Sequence, residues 1–255
     1  MNRKFVLLCD YGLDDAVATI FLLDSRDKSD TVDIIPIGGN SEVTVAYRNA
    51  QTLLASYEGS VEGVRIVDTR GVAQPWAKLP SIHGEDGLGD ILPVAESSVK
   101  VLSYDEWINE DTAPFILVSL GPCTMTEDIL KRKAVSELLI MAGCVAEEPN
   151  FNGYEFNHCL DIPAFERCVK YPHKIATLDT CRTPLFNYAD RIYEGKTLLE
   201  RLTNRAIELA KARHPENCYI YDYITVNYLF NPDLFTEREM VDKDGNILTE
   251  LKVIK

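Results

Sequence analysis

The chain has 255 residues, 46% hydrophobic and 26% charged, which is long enough and apolar enough for a substantial α/β core. Its net charge of −14, with "LKRK" at 130–133 as the one compact basic run, excludes a nucleic-acid partner. No run reaches the roughly 18 apolar residues of a membrane span, and "MNRKFVLLCDYG" lacks the cleavage site of a signal peptide, so a cytoplasmic location is expected.

Residues 4–9, "KFVLLC", are predicted to be a buried strand, followed by helical periodicity over 14–24. "VDIIPIGG" at 32–39 reads as a second strand, 43–57 as an amphipathic helix and "VRIVD" at 64–68 as a third strand. Residues 69–98 are irregular and rich in Gly and Pro. The strand "FILVSLG" at 115–121 leads into a helix ending near 132, and "SELLIMAG" at 136–143 is the next strand. A helix over 163–171, a strand at 173–179 and helices over about 195–213 and 222–230 follow. The tail alternates around Asp244-Gly245, a hairpin signal. Strand alternating with helix, with near-continuous apolar strands, predicts an open, mostly parallel central sheet covered by helices on both faces. With no repeat and no linker, residues 1–255 read as a single domain. The seven cysteines are odd in number without C-x-x-C spacing, and read as free thiols of a reducing compartment. The four histidines show no zinc-ligand spacing, and His158, His173 and His214 read as structural or exposed.

In a parallel sheet the ligand crevice lies beyond the carboxyl ends of the strands. Asp10, Asp14 and Asp15 stand there, in "LLCDYGLDDAVATIFLL", with Gly12 permitting a tight turn. Three carboxylates this close repel one another unless a cation joins them, and oxygen-only ligands select a hard ion, Ca²⁺ or Mg²⁺. A haloacid dehalogenase-type phosphotransferase also places an Asp after the first strand, but wants a second Asp two residues later, where this chain has Gly12. Other strand ends carry Asn40, the loop "SIHGEDGLGD" with His83 and Asp86, Thr124 after "LGPC", Glu155 and Asn157 in "EFN", and Asp222.

Five motifs in order, "DYGLDDAVA", "GGNSEVTVAYRNA", "HGEDGLG", "LGPCT" and "EFN", resemble the inosine-uridine preferring nucleoside hydrolase family over residues 4 to about 230. The resemblance implies Ca²⁺ held by Asp10, Asp15, the Thr124 carbonyl and Asp222, with Asp10 also the general base for water. It implies ribose-hydroxyl ligands at Asp14, Asn40, Glu155 and Asn157, with Asp222 lining the same site, and a homo-oligomer, dimer or tetramer. The substrate would be a small ribose-containing nucleoside.

Four departures stand out. Leu8 and Tyr11 replace a common Asp and Pro, and either Asn150 or Asn152 stands for an Asn before "EFN". Tyr221 precedes Asp222 where the family usually has His, the group that protonates the leaving base. A tyrosine is a weak acid at neutral pH, with an unperturbed pKa of about 10. His83 is the alternative leaving-group acid, or it braces its Gly-rich loop. Trp76 and Tyr228 are candidates for base stacking, against packing roles for both. A binding protein that has lost catalysis is therefore the second reading, and a metal-dependent phosphatase the third.

Overall fold

The computed structural model describes residues 2–254, with backbone alone at residues 80 and 81. The strands are β1 (Lys4–Cys9), β2 (Thr31–Pro36), β3 (Val64–Asp68), β4 (Lys100–Ser103), β5 (Phe115–Ser119), β6 (Val135–Met141), β7 (Lys174–Ala176), β8 (Phe235–Val241) and β9 (Ile247–Val253). The helices are α1 (Leu13–Ser25), α2 (Val43–Ser56), α3 (Pro80–His83), α4 (Tyr104–Asn109), α5 (Thr124–Arg132), α6 (Phe156–Leu160), α7 (Ile162–Cys168), α8 (Leu178–Cys181), α9 (Leu198–Arg213) and α10 (Tyr221–Tyr228).

Among the described residues the strands form one open sheet of nine, in the order β4-β3-β2-β1-β5-β6-β7-β9-β8. All neighbours are parallel except the β8–β9 hairpin at the edge. The strand β1 explains why the apolar run lacks alternation. Phe5, Leu7 and Cys9 enter one buried cluster and Val6 and Leu8 the other, on opposite faces, so every position after Lys4 is apolar. Leu8, where the resemblance leads one to expect Asp, is part of that second cluster.

From β1 the chain steps outward through β2, β3 and β4, then returns to place β5 on the other side of β1. The strand order reverses between β1 and β5, so the loops leaving their carboxyl ends diverge and open a crevice. Asp10 leaves β1 there, and Gly121 leaves β5.

Element ends follow local chemistry. The Thr197 hydroxyl accepts the Glu200 N–H, so α9 starts at Leu198 rather than near 195. Thr177 caps α8 in the same way, which cuts the strand expected over 173–179 to three residues. Residues 100–109 were read as neither strand nor helix, yet they form β4 and α4. The short β4 adds to the sheet edge beside β3, and Ser103 and Glu106 make a reciprocal cap for α4. The tail hairpin is present, and β9 joins β7 in parallel at Ile175 and Glu250.

Candidate active site

Asp10 is fully buried at the carboxyl end of β1. Its Oδ2 accepts the Asn40 backbone N–H at 2.8 Å and its Oδ1 the Asn40 Nδ2 at 2.9 Å. This approach depends on Gly39, where a Cβ would lie 1.9 Å from Asp10 Oδ2. Gly12 is equally confined: a Cβ there would come within 2.7 Å of both Asn40 Nδ2 and the His83 ring. Between them Tyr11 is buried at φ 44°, a left-handed conformation that proline, fixed near −65°, cannot adopt.

One turn further, Asp14 and Asp15 open α1, and Asp222 enters from α10. A carboxylate oxygen from each of the three lies within 4.8 Å of the others. Asp15 Oδ2 accepts the Gly12 N–H at 2.8 Å, while Asp15 Oδ1 and Asp14 Oδ1 are buried without a hydrogen-bond donor. His83 Nδ1 stands 3.6 Å from Asp14 Oδ1, and burial favours the neutral form of that ring. Burial lifts the Asp10 carboxyl to about 6 despite the Asn40 hydrogen bonds, and the Asp14 charge adds to the lift. Asp15 and Asp222 are raised further by burial and by the negative charges facing them. Orphaned buried oxygens and an all-oxygen donor set fit a hard divalent cation. The Thr124 side chain does not join this group; it donates to Asp161 Oδ2 at 2.6 Å. Asp86 stays in its own loop, where Oδ1 accepts the Leu88 and Asp90 N–H groups.

On the far wall Glu155 is the N-cap of α6. Its Oε1 accepts the Asn157 N–H, and its Oε2 accepts those of Gly143 and His158, at 2.9–3.0 Å. Burial nonetheless pushes its carboxyl up to about 7. Asn157 Nδ2 donates to the Leu120 and Met141 carbonyls at 3.1 and 3.0 Å, which leaves its carbonyl oxygen for a ligand hydroxyl. These groups, with Asp14, Asn40, His83, Tyr221 and Asp222, line a cavity of about 70 Å³. Asn150 lines it too, whereas Asn152 is exposed in a turn at φ 45°, so Asn150 is the asparagine that reaches the site.

His83 separates this cavity from a larger one of about 320 Å³, which Trp76 borders at 46% exposure. The Leu13 N–H donates to His83 Nδ1 at 3.0 Å, which places the proton of the neutral ring on Nε2, and burial favours that neutral form. The His83 carbonyl accepts the Gly89 N–H, so the residue also braces its loop. The Tyr221 hydroxyl accepts from Arg182 Nε at 3.5 Å; burial raises its pKa and the guanidinium opposes that rise. Arg182 escaped the sequence reading because it lies far from every motif; only the fold brings it, with its Glu147 partner, beside α10. Tyr228 lies elsewhere, with its hydroxyl held by Lys174 at 2.6 Å, and serves packing.

An open doubly wound sheet with buried, cation-ready carboxylates at its switch point defines a hydrolase of the metal-dependent α/β type. Residues 5–249 match the profile of the inosine-uridine preferring nucleoside hydrolases, and the chain belongs to that family. It is 28% identical, over 95% of its own length and 84% of the relative's, to an inosine-uridine preferring nucleoside hydrolase from Crithidia fasciculata. A pyrimidine-specific ribonucleoside hydrolase from Shewanella woodyi is 24% identical over 94% of this chain and 83% of its own. The fold matches that of a purine-preferring ribonucleoside hydrolase from Gardnerella vaginalis with a TM-score of 0.70, at 22% identity over 99% of this chain and 88% of the other.

Proposed function

We propose that this chain hydrolyses the N-glycosidic bond of a ribonucleoside to ribose and free base, with Ca²⁺ as its cofactor. The observation that carries the reading is the group Asp14, Asp15 and Asp222 beside the buried Asp10: Asp14 and Asp15 each keep an oxygen without a hydrogen-bond donor, and the histidine that stands 3.6 Å from Asp14 is one whose neutral form burial favours. Asp10, Asp15, Asp222 and the Thr124 carbonyl would hold the ion. When bound, calcium supplies charge that orients water and the ribose diol and lowers the water's pKa. Asp10 takes the proton of the attacking water, from a fully buried position at the carboxyl end of β1. Asp14, Asn40, Glu155 and Asn157 grip the ribose hydroxyls. Asn40 spends its amide N–H on Asp10, which leaves its carbonyl oxygen to accept from a sugar hydroxyl. As the bond to the base breaks, the sugar gains oxocarbenium character, and the surrounding carboxylates stabilise that positive charge in a dry pocket.

Departure of the base falls to His83 or to Tyr221, both on the cavity wall. The substitution at Tyr221 also supports the second reading, a nucleoside-binding protein without turnover, because burial makes that hydroxyl a still weaker acid. The seven free cysteines support a cytoplasmic location, and the family supports a homo-oligomer, dimer or tetramer. One sheet drawing strands from residues 4 to 253 supports reading the chain as one domain.

The test is incubation of calcium-loaded protein with uridine, cytidine, inosine and p-nitrophenyl riboside, followed by a reducing-sugar assay. Ribose release that a chelator abolishes is expected. Tight nucleoside binding with no ribose released from any of the four would establish the binding protein instead.

A further inference from the structure

A second group of metal-ligating side chains lies outside the active site. His158 lies on α6 next to Asn157, and Asp242 and Asp244 sit at the tip of the β8–β9 hairpin, 84 and 86 positions further along the chain (242 − 158 and 244 − 158). A ring nitrogen of His158 and a carboxylate oxygen from each aspartate lie within 4.8 Å of one another. His158 is only 3% exposed, and its Nε2 is buried with no hydrogen-bond partner. A buried, unpartnered imidazole nitrogen is costly unless something occupies it.

The turn holds its first ligand in place. Asp242 Oδ1 accepts the N–H groups of Asp244 and Asn246, both at 2.9 Å, and Oδ2 accepts Asn246 Nδ2 at 2.9 Å. With two donors Oδ1 is saturated, while Oδ2 keeps a lone pair. Gly245 at φ 85° lets the chain turn so that Asp244 comes back beside Asp242. The neighbouring cation is diverted: Lys243 Nζ lies over the Tyr154 ring, 3.2 Å from its centroid, and donates to the Gly153 carbonyl. The imidazole is fixed from both sides, stacked on Phe165 at 3.8 Å between centroids and met edge-on by Tyr154 at 4.8 Å.

We propose that His158, Asp242 and Asp244 form a second metal site, which takes a borderline divalent ion such as zinc and ties the β8–β9 turn to helix α6. One nitrogen and two carboxylate oxygens suit such an ion, whose bonds of about 2.0–2.2 Å need only a small closing of the three side chains. Calcium is disfavoured because it takes oxygen ligands. The clamp is structural, since the nucleoside cavity is lined by other residues. It also fastens the edge of the sheet to the helix that carries Glu155 and Asn157.

The test titrates chelator-stripped, calcium-saturated protein with Co²⁺, read by visible absorption, and with Zn²⁺ in competition. Wild-type protein should bind one cobalt ion with nitrogen and oxygen ligation, displaced by zinc. Zinc should also raise its thermal midpoint. Asp244 is exposed, so Asp244→Asn keeps the fold; it should weaken cobalt binding by about 10-fold or more and remove the thermal shift. Asp15→Asn, at the other carboxylate group, should leave both readouts in place. Equal cobalt affinity in wild type and Asp244→Asn, no cobalt binding at all, or a thiolate-to-cobalt absorption band would overturn the proposal.

Discussion

Asp33 and Asp10 are both buried aspartates, one on β2 and the other at the end of the adjacent β1. Asp33 is surrounded by donors. Arg65 forks onto both its oxygens at 2.7 and 2.8 Å, Lys4 Nζ stands 2.9 Å away, and Trp107 Nε1 donates at 2.8 Å. Burial pushes its carboxyl up, but those partners outweigh it and hold it below the usual range. Asp10 has carboxylates nearby where Asp33 has cations, and burial, with the Asp14 charge adding to it, lifts its carboxyl to about 6. Burial is therefore not what marks a functional carboxylate. A buried carboxylate that carries its own cations serves the fold; one that lacks them is a candidate for a functional role.

Exchanging the roles would break that contrast, and Asp10→Asn should have the largest effect. Loss of the general base is expected to cost about 10²–10⁴-fold in nucleoside turnover. Removing a repelled buried charge should leave the metal-free thermal midpoint equal or higher. A large fall in that midpoint would place Asp10 with Asp33 as a structural residue.

Asp33→Ala should do the reverse. It strips Lys4 and the Trp107 N–H of their carboxylate and leaves Arg65 with Glu110 alone, and should cost about 3 kcal/mol of stability, read by urea denaturation, with turnover per folded molecule unchanged. The pH dependence follows in sign. Asp33 has a lowered folded pKa, so its contribution is full above the unfolded value of about 3.9 and disappears as pH falls through the folded value. The gap between wild type and Asp33→Ala should be constant near neutrality and close in the acid range. A gap that widened on acidification would refute the assignment.

His83→Ala sharpens the comparison at the rim of the site. Should the His83 ring protonate the leaving base, uridine turnover falls about 10²-fold, while p-nitrophenyl riboside, whose leaving group departs without a proton, is hardly affected. Equal losses on both substrates would restrict His83 to bracing its loop. Calcium itself gives the last test. At about 100 times its Kd it should stabilise the protein by about 2.7 kcal/mol. That gain should vanish in Asp222→Asn and persist in Asp33→Ala.

Much of this was legible in the chain order of residues. The strand β1 is apolar from Phe5 to Cys9 because both its faces are buried, and that pattern announces a covered parallel sheet. In such a sheet a strand's carboxyl end is where ligands bind, so Asp10, Asp14 and Asp15 could be placed from spacing alone. Residues 100–109 were missed because a four-residue edge strand has too few positions to show a period, although Ser103 and Glu106 carried a capping signal.

Long-range pairing belonged to the tertiary structure. Sequence spacing records neighbours within one element, since periodicity reaches only a turn of helix or a few residues of strand. The arrival of Asp222 beside Asp15, of Arg182 at Tyr221, and of His158 at the hairpin tip depends on which strands lie side by side. The four histidines looked scattered because spacing could not show that β9, by joining β7, swings Asp242 and Asp244 onto α6. What the sequence settled by itself was the covered sheet and the acidic strand end, because both are written in contiguous residues. What only the folded chain decided was which charges meet, because that is fixed by strand order and by the packing of elements far apart in the chain.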